Sequence, residues 1–275
     1  MELKSVVGWR RSIRFFDPWR QVEREKIQNI LEAIYRAPRV LEVDFVRVLV
    51  VQRDRLTPDD MQTLKTPTTT AQLSLAPVYV FFFADVAMLE SAADGHNFSE
   101  LMSLGVLNAS HGWNDQFVTE TVSPLMRSIV DDPVRVPLGA SSTQTVSRET
   151  LRLARTAIGI AQEYALLAAV EEGLGAQLSG VSVNAARTLF GIPDTWIPSS
   201  PMLLGYHGES REAGGQRPRE PFEEDFFELR HPHPFYREPA VVDRLTAAEM
   251  IQSPAPFPWR MDEVRGLARK FGLPE

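Results

Sequence analysis

The residues best equipped for chemistry stand near the start of the chain. Arg10-Arg11-Ser12-Ile13-Arg14 packs three guanidinium groups and a hydroxyl into five positions, followed by Phe15 and Phe16. Arginine presents a planar fork of donors that matches phosphate bidentately and stays charged, and serine can add a short hydroxyl bond. The pattern predicts an anion grip with phosphate as its guest. A second basic pair, Arg217-Pro218-Arg219, comes after a strand-like run and a glycine-rich turn. On charge pattern alone that pair reads as a solvated turn.

Other chemistries find little support. There is no cysteine, which removes disulfides, thiolate metal sites and thiol nucleophiles. The five histidines are His96, His111, His207, His231 and His233. Only His231 and His233 are close in sequence, too few for a metal site, so none is expected. Gly173-Leu174-Gly175 follows a helix-like stretch, whereas a dinucleotide fingerprint needs a strand before it and a helix after it. No Walker A loop and no Gly-x-Ser-x-Gly elbow occurs. Adjacent carboxylates such as Asp131-Asp132 and Glu223-Glu224 read as solvated, so no side chain is assigned acid, base or nucleophile duty.

A hydrophobic content of 44% over 275 residues supports a sizeable core. The net charge of -7 argues against a nucleic-acid partner, which would require a basic face. With no apolar run near ~18 residues and no charged-then-apolar leader, the expectation is no membrane span and a cytoplasmic location.

The elements that must position the grip follow from periodicity. Ile27, Ile30, Leu31, Ile34 and Tyr35 have the spacing of one helix face, ending near Pro38. Residues 45–51 read as a strand, and the almost wholly apolar run 77–83 as a central strand covered on both faces. Residues 54–76 read as a connection or short helix. Between Asp85 and Ser147 a helix over Met88 to Leu107 is followed by a stretch broken by Gly, Asn, His and Pro, where function-specific variation is expected. Arg148 to Glu172 is the clearest helix, rich in alanine and expected to be buried on more than one side. Ser182 is expected to cap a short helix closed by Gly191, and residues 201–206 form a further strand. Thr246-Ala247-Ala248-Glu249 has the pattern of a capping box that would start a helix. Met261 to Phe271 forms a last helix closed by Gly272.

Four blocks in this order resemble the FMN-dependent nitroreductase family. They are Arg10 to Asp17 with the helix ending in Arg36-Ala37-Pro38; Ile158 to Ala161 through Leu166 to Gly175; Phe190-Gly191-Ile192-Pro193 with Leu203 to Tyr206; and Arg217-Pro218-Arg219. The resemblance covers roughly residues 9–225. It implies an α+β fold, a mostly antiparallel sheet flanked by helices, forming a homodimer with two FMN sites at its interface. It further implies that Arg10, Ser12 and Arg14 hold the FMN phosphate, with Arg11 toward the ribityl chain or flavin edge and Arg217 and Arg219 closing on the phosphate or pyrimidine side. Ser179 and Gly180 would offer backbone N–H groups near flavin N5. Where the family carries serine, asparagine and Gln-Pro-Trp after the first helix, this chain has Arg39-Val40-Leu41-Glu42-Val43-Asp44, and Arg39 becomes a further candidate for the phosphate.

The activity implied is hydride transfer from NAD(P)H through flavin N5 to a flat small-molecule acceptor, a nitroarene, quinone or activated alkene, with Phe98, Trp113 and Phe117 as candidate stacking walls. Two rivals are an oxygen-dependent or flavin-consuming enzyme on the same fold, and a non-catalytic flavin-binding dimer. Residues 1–230 are expected to form the flavin domain, and residues 231–275 an extension that wraps the partner subunit.

Overall fold

The apolar run near residue 80 becomes the middle of the sheet. A computed structural model describes residues 2–39, 43–67, 69–91, 96–130, 133–137, 143–252 and 260–274. In chain order these form α1 (Leu3–Trp9), α2 (Arg24–Tyr35), β1 (Val46–Gln52), α3 (Pro58–Leu64), α4 (Thr70–Leu75) and β2 (Val78–Asp85). Next come α5 (Val86–Ser91), α6 (His96–Ser103), the short α7 (Asp115–Phe117), α8 (Ser123–Val130), β3 (Pro133–Pro137), β4 (Thr143–Ser147) and the long α9 (Arg148–Glu171). The chain finishes with β5 (Gly175–Leu178), α10 (Val183–Phe190), β6 (Trp196–Pro198), β7 (Met202–Gly205), α11 (Phe222–Asp225), α12 (Pro239–Ala247) and α13 (Met261–Phe271). The stretch 54–76 thus holds two helices.

The main sheet runs β1-β2-β7-β5, with β6 beside β2, and every pairing of its strands is antiparallel. Alternation along β2 divides the core in two. Val78, Val80, Phe82 and Ala84 face Ile27 and Ile30 of α2 and the alanines of α9. Tyr79, Phe81 and Phe83 face Ile13, Phe16, Leu64 and Leu73. Each large side chain buried this way contributes roughly 1.5–3 kcal/mol, which explains why β2 carries almost no polar residue. Small residues at Ala154, Ala157, Ala161, Ala165 and Ala169 let the long helix lie close on the sheet.

One expectation holds and one is corrected. Helix α9 is covered on one side by α2 and on another by the sheet, leaving a strip with Arg155, Thr156, Gly159 and Glu163 exposed. The capping-box pattern at Thr246 lies at the end of a helix, because α12 starts with Pro239 at its first turn and Thr246 Oγ1 donates back to Val242 O at 2.9 Å. The helix closes where Glu249 takes a left-handed φ of 60°.

The extension divides. Residues 249–252 dock on their own chain: Trp9 Nε1 and Ser5 Oγ donate to Glu249 Oε2 at 3.0 and 3.3 Å, and Gln216 Nε2 donates to Met250 O at 2.8 Å. Gly8 is required there, since a Cβ would overlap the Glu249 carbonyl. Phe271 of α13 stacks on Phe15 and Trp19, with centroids 6.4 and 5.6 Å apart. Ahead of these docked parts in the chain, Phe226, Phe227, Leu229, Phe235 and Tyr236 remain exposed.

Candidate functional site

The anion grip is built by an extended segment laid against the sheet. Ser12 bridges Ala176 in parallel, Ile13 N donates to Ala176 O at 3.1 Å, and Asp17 N donates to Tyr206 O at 2.9 Å. Extended backbone sends successive side chains to opposite sides. Arg11 and Ile13 therefore point inward, 9% and 1% exposed, whereas Arg10, Ser12 and Arg14 lie on the outer side.

The two sides have different duties. The Arg11 guanidinium donates to Gly8 O (2.6 Å), Arg10 O (3.1 Å), Glu212 O (3.2 Å) and Gln252 Oε1 (2.5 Å). It ties the segment to the Glu212 loop and the C-terminal part of the chain. Arg14 donates to Ser12 O at 3.1 Å, and its pKa lies below the usual arginine value through partial desolvation first, then the like charges of Arg260 and Arg217. Arg14 thus feels the positive charges of Arg260 and Arg217, Arg260 being paired with the buried Glu209. An anion at Arg14 would relieve this repulsion and accept charge-assisted bonds. Arg217 and Arg219 are both exposed.

Glu209 holds the segment in place. Its fully buried side chain accepts from Arg14 N at 2.5 Å and Phe15 N at 3.0 Å through Oε1, and pairs with Arg260 through Oε2. Arg260 in turn donates to Glu263 Oε2 at 3.1 Å. Sequence reasoning missed both Glu209 and Arg260, because neither stands in a local pattern with the residues it serves.

The remaining candidates are distributed. Ser179 N donates to Pro201 O at 2.9 Å, so this amide belongs to the sheet edge. The neighbouring Gly180 is exposed, with room for a methyl 3.8 Å from Thr69. Arg39 pairs with Asp44 at 2.9 Å and lies 5.4 Å from the Tyr35 ring centre, which neutralises one of the two carboxylates near it; Glu42 lies outside the described residues. It borders a cavity of about 220 Å³ beside Ala157 and Ala161. The grip lies near the far end of α9, about 20 Å away at ~1.5 Å per residue, so one chain does not bring Arg39 to it. Phe98, Trp113 and Phe117 do come together. Phe98 stacks on Trp113 at 5.5 Å and Trp113 meets Phe117 edge-on at 5.4 Å, over Val118 and Val122. They form the small core of the 96–122 excursion, with Phe117 half exposed at its rim.

Behind the segment, on the Arg11 side, lies a cavity of about 250 Å³ lined in part by Trp9, Ile13, Leu174, His207 and Arg211. Burial and then Arg211 hold the His207 pKa below the usual histidine value. Among the described residues no group of three or more His, Asp or Glu is placed to hold a metal ion, and no helix is long and apolar enough to cross a membrane.

The architecture defines the class first: this is the α+β fold of solved nitroreductases. A protein from Exiguobacterium sibiricum assigned as a nitroreductase and crystallised with FMN has a TM-score of 0.58 at 18% identity, covering 82% of this chain and 96% of that one. An enone reductase of gut-bacterial fatty acid saturation has 0.58 at 19%, covering 83% and 98%. A protein from Staphylococcus epidermidis assigned as an NAD(P)H:FMN oxidoreductase has 0.58 at 15%, covering 84% and 95%. At these identities the likeness carries the fold. Among curated proteins none matches by sequence. A family model described as "Nitroreductase family" matches residues 7–115 of this chain.

Proposed function

We propose that the protein binds FMN with its phosphate on the outer side of the Arg10 to Arg14 segment and works as a flavin-dependent oxidoreductase. The observation that carries this reading is the outward placement of Arg10, Ser12 and Arg14 on a segment bridged to β5, with the buried Glu209 holding the Arg14 and Phe15 backbone. Arg10, Ser12 and Arg14 would hold the phosphate, and Arg217 and Arg219 would close over it. FMN, when bound, supplies the hydride chemistry between NAD(P)H and a flat acceptor such as a nitroarene, quinone or activated alkene. The chain's own contribution is to bind and orient. Gly180 offers its amide toward the flavin edge, while the Ser179 amide stays with Pro201.

The homodimer belongs to the same proposal. Among the described residues no atom lies within 4 Å of a methyl added at Gly159 on the open face of α9, and Phe226, Phe227, Phe235 and Tyr236 remain partly exposed. A second copy is the partner that both surfaces suit. Across such an interface Arg39 could reach the site, and Phe98, Trp113 and Phe117 could wall the acceptor. The location consistent with this chemistry is the cytoplasm, where NAD(P)H is available.

The test is the absorbance spectrum of the purified protein before and after NAD(P)H. A yellow protein bleached anaerobically and recoloured by a nitroarene or quinone is expected. A colourless protein that takes up no added FMN refutes the reading.

A further inference from the structure

The C-terminal helix reaches the grip from the far end of the chain. Glu209 joins the two: one carboxylate oxygen takes the N–H groups of Arg14 and Phe15, and the other pairs with Arg260, one residue before α13. Glu263, in the first turn of α13, accepts from Arg260 and from Ser210 N at 3.0 Å. At the other end of α13, Phe271 stacks on Phe15. Gly208 is needed for this approach, because a Cβ there would lie 2.7 Å from the Phe16 carbonyl and 2.9 Å from the Phe271 ring.

We propose that Arg260 is a positioning residue for the phosphate grip, and that docking of α13 and binding of the FMN phosphate favour each other. Arg260 already serves two carboxylates, so it acts through Glu209, whose buried charge would otherwise stand unpaired and release the Arg14-Phe15 backbone. Its own positive charge adds to the field of Arg14 and Arg217. A ligand that neutralises this field stabilises the docked helix, and the coupling must be reciprocal. The proposal rests on the FMN reading and adds a residue that the four resemblance blocks do not contain.

The experiment compares full-length wild type with Arg260→Ala and Arg260→Lys, titrating apoprotein with FMN and with riboflavin by flavin fluorescence. Losing a charge-assisted anchor is expected to weaken FMN about tenfold in Arg260→Ala, with riboflavin changed less than about twofold. Arg260→Lys, which keeps the charge and loses the fork, is expected to fall between. If Arg260→Ala does not fold, Arg260→Lys carries the comparison. Equal losses for both flavins, or none, would overturn the proposal. Amide exchange gives a readout that needs no flavin: Arg14 and Phe15 N–H should exchange faster in the variants while β2 stays protected. Wild type that binds no FMN sinks the FMN reading, and unchanged exchange at Arg14 and Phe15 sinks the role of Arg260.

Discussion

Gly175→Ala tests whether the close fit of the grip segment onto β5 is what positions it. An added Cβ would lie 2.8 to 2.9 Å from Ile13 Cγ2, Cβ and Cγ1. Carbon atoms settle at about 3.5–4.0 Å, so one side must retreat by roughly 0.7 Å. Ile13 is 1% exposed and sits among Phe16, Leu64, Leu73 and Leu203, which leaves it no space to yield. Overpacking of this kind costs about 1–3 kcal/mol. As the segment lifts in response, the Ile13 N–Ala176 O bond is weakened at a further cost of about 0.5–1.5 kcal/mol. The sum, roughly 2–4 kcal/mol, corresponds to a melting temperature lower by on the order of 10 °C for a chain this size.

The same displacement carries Ser12 and Arg14 with it, so FMN affinity should fall along with stability. Thermal melting by circular dichroism and a flavin titration measure both. Adding Ile13→Val should not rescue the variant, because valine keeps all three atoms that clash. A Gly175→Ala protein that melts within about 1 °C of wild type and binds flavin equally well would refute the argument. Rescue by Ile13→Val would place the clash at the wrong atom.

Two further changes probe the fold around the grip. Tyr79 is 1% exposed and its hydroxyl donates to Leu73 O at 2.6 Å, with burial pushing the phenol above its usual range; Tyr79→Phe should cost about 1–2 kcal/mol in urea unfolding. His207 has its pKa lowered by burial and Arg211, so the unfolded chain takes up the proton more readily. Its contribution to stability is complete above the unfolded value of about 6.5 and is lost as the pH falls below it. His207→Gln should flatten the stability profile in that window, and a profile with the same slope would show that another group is responsible.

The legibility of the chain follows the range of the interactions. Strand β2 could be read because burial on both faces demands an unbroken apolar run, and α9 because a helix lying flat on a sheet demands small residues at three- and four-residue spacing. The hairpin β3–β4 escaped notice because Pro133-Val134-Arg135-Val136-Pro137 pairs with Thr143-Gln144-Thr145-Val146-Ser147, and neither run has the length to signal itself. The Thr246 pattern misled because the side chain that can cap a helix start can equally return a bond to the preceding turn. Phe98, Trp113 and Phe117 read as candidate stacking walls, but types alone could not tell that they pack on one another first.

The grip shows the same division within five residues. Composition marks Arg10, Arg11 and Arg14 alike as phosphate donors, and no local rule separates them. A helical segment would have set Arg10 and Arg14 on one face, four positions apart, with Arg11 beside them at the three-residue spacing from Arg14. The extended segment does otherwise, because the parallel bridge from Ser12 to Ala176 turns alternate residues to opposite sides. Arg11 then becomes the anchor to Gly8, Glu212 and Gln252, and Arg260 supports the Arg14 backbone through Glu209. Which arginines hold an anion is therefore set by a sheet edge and by a helix at the other end of the chain, both of which exist only once the chain has folded.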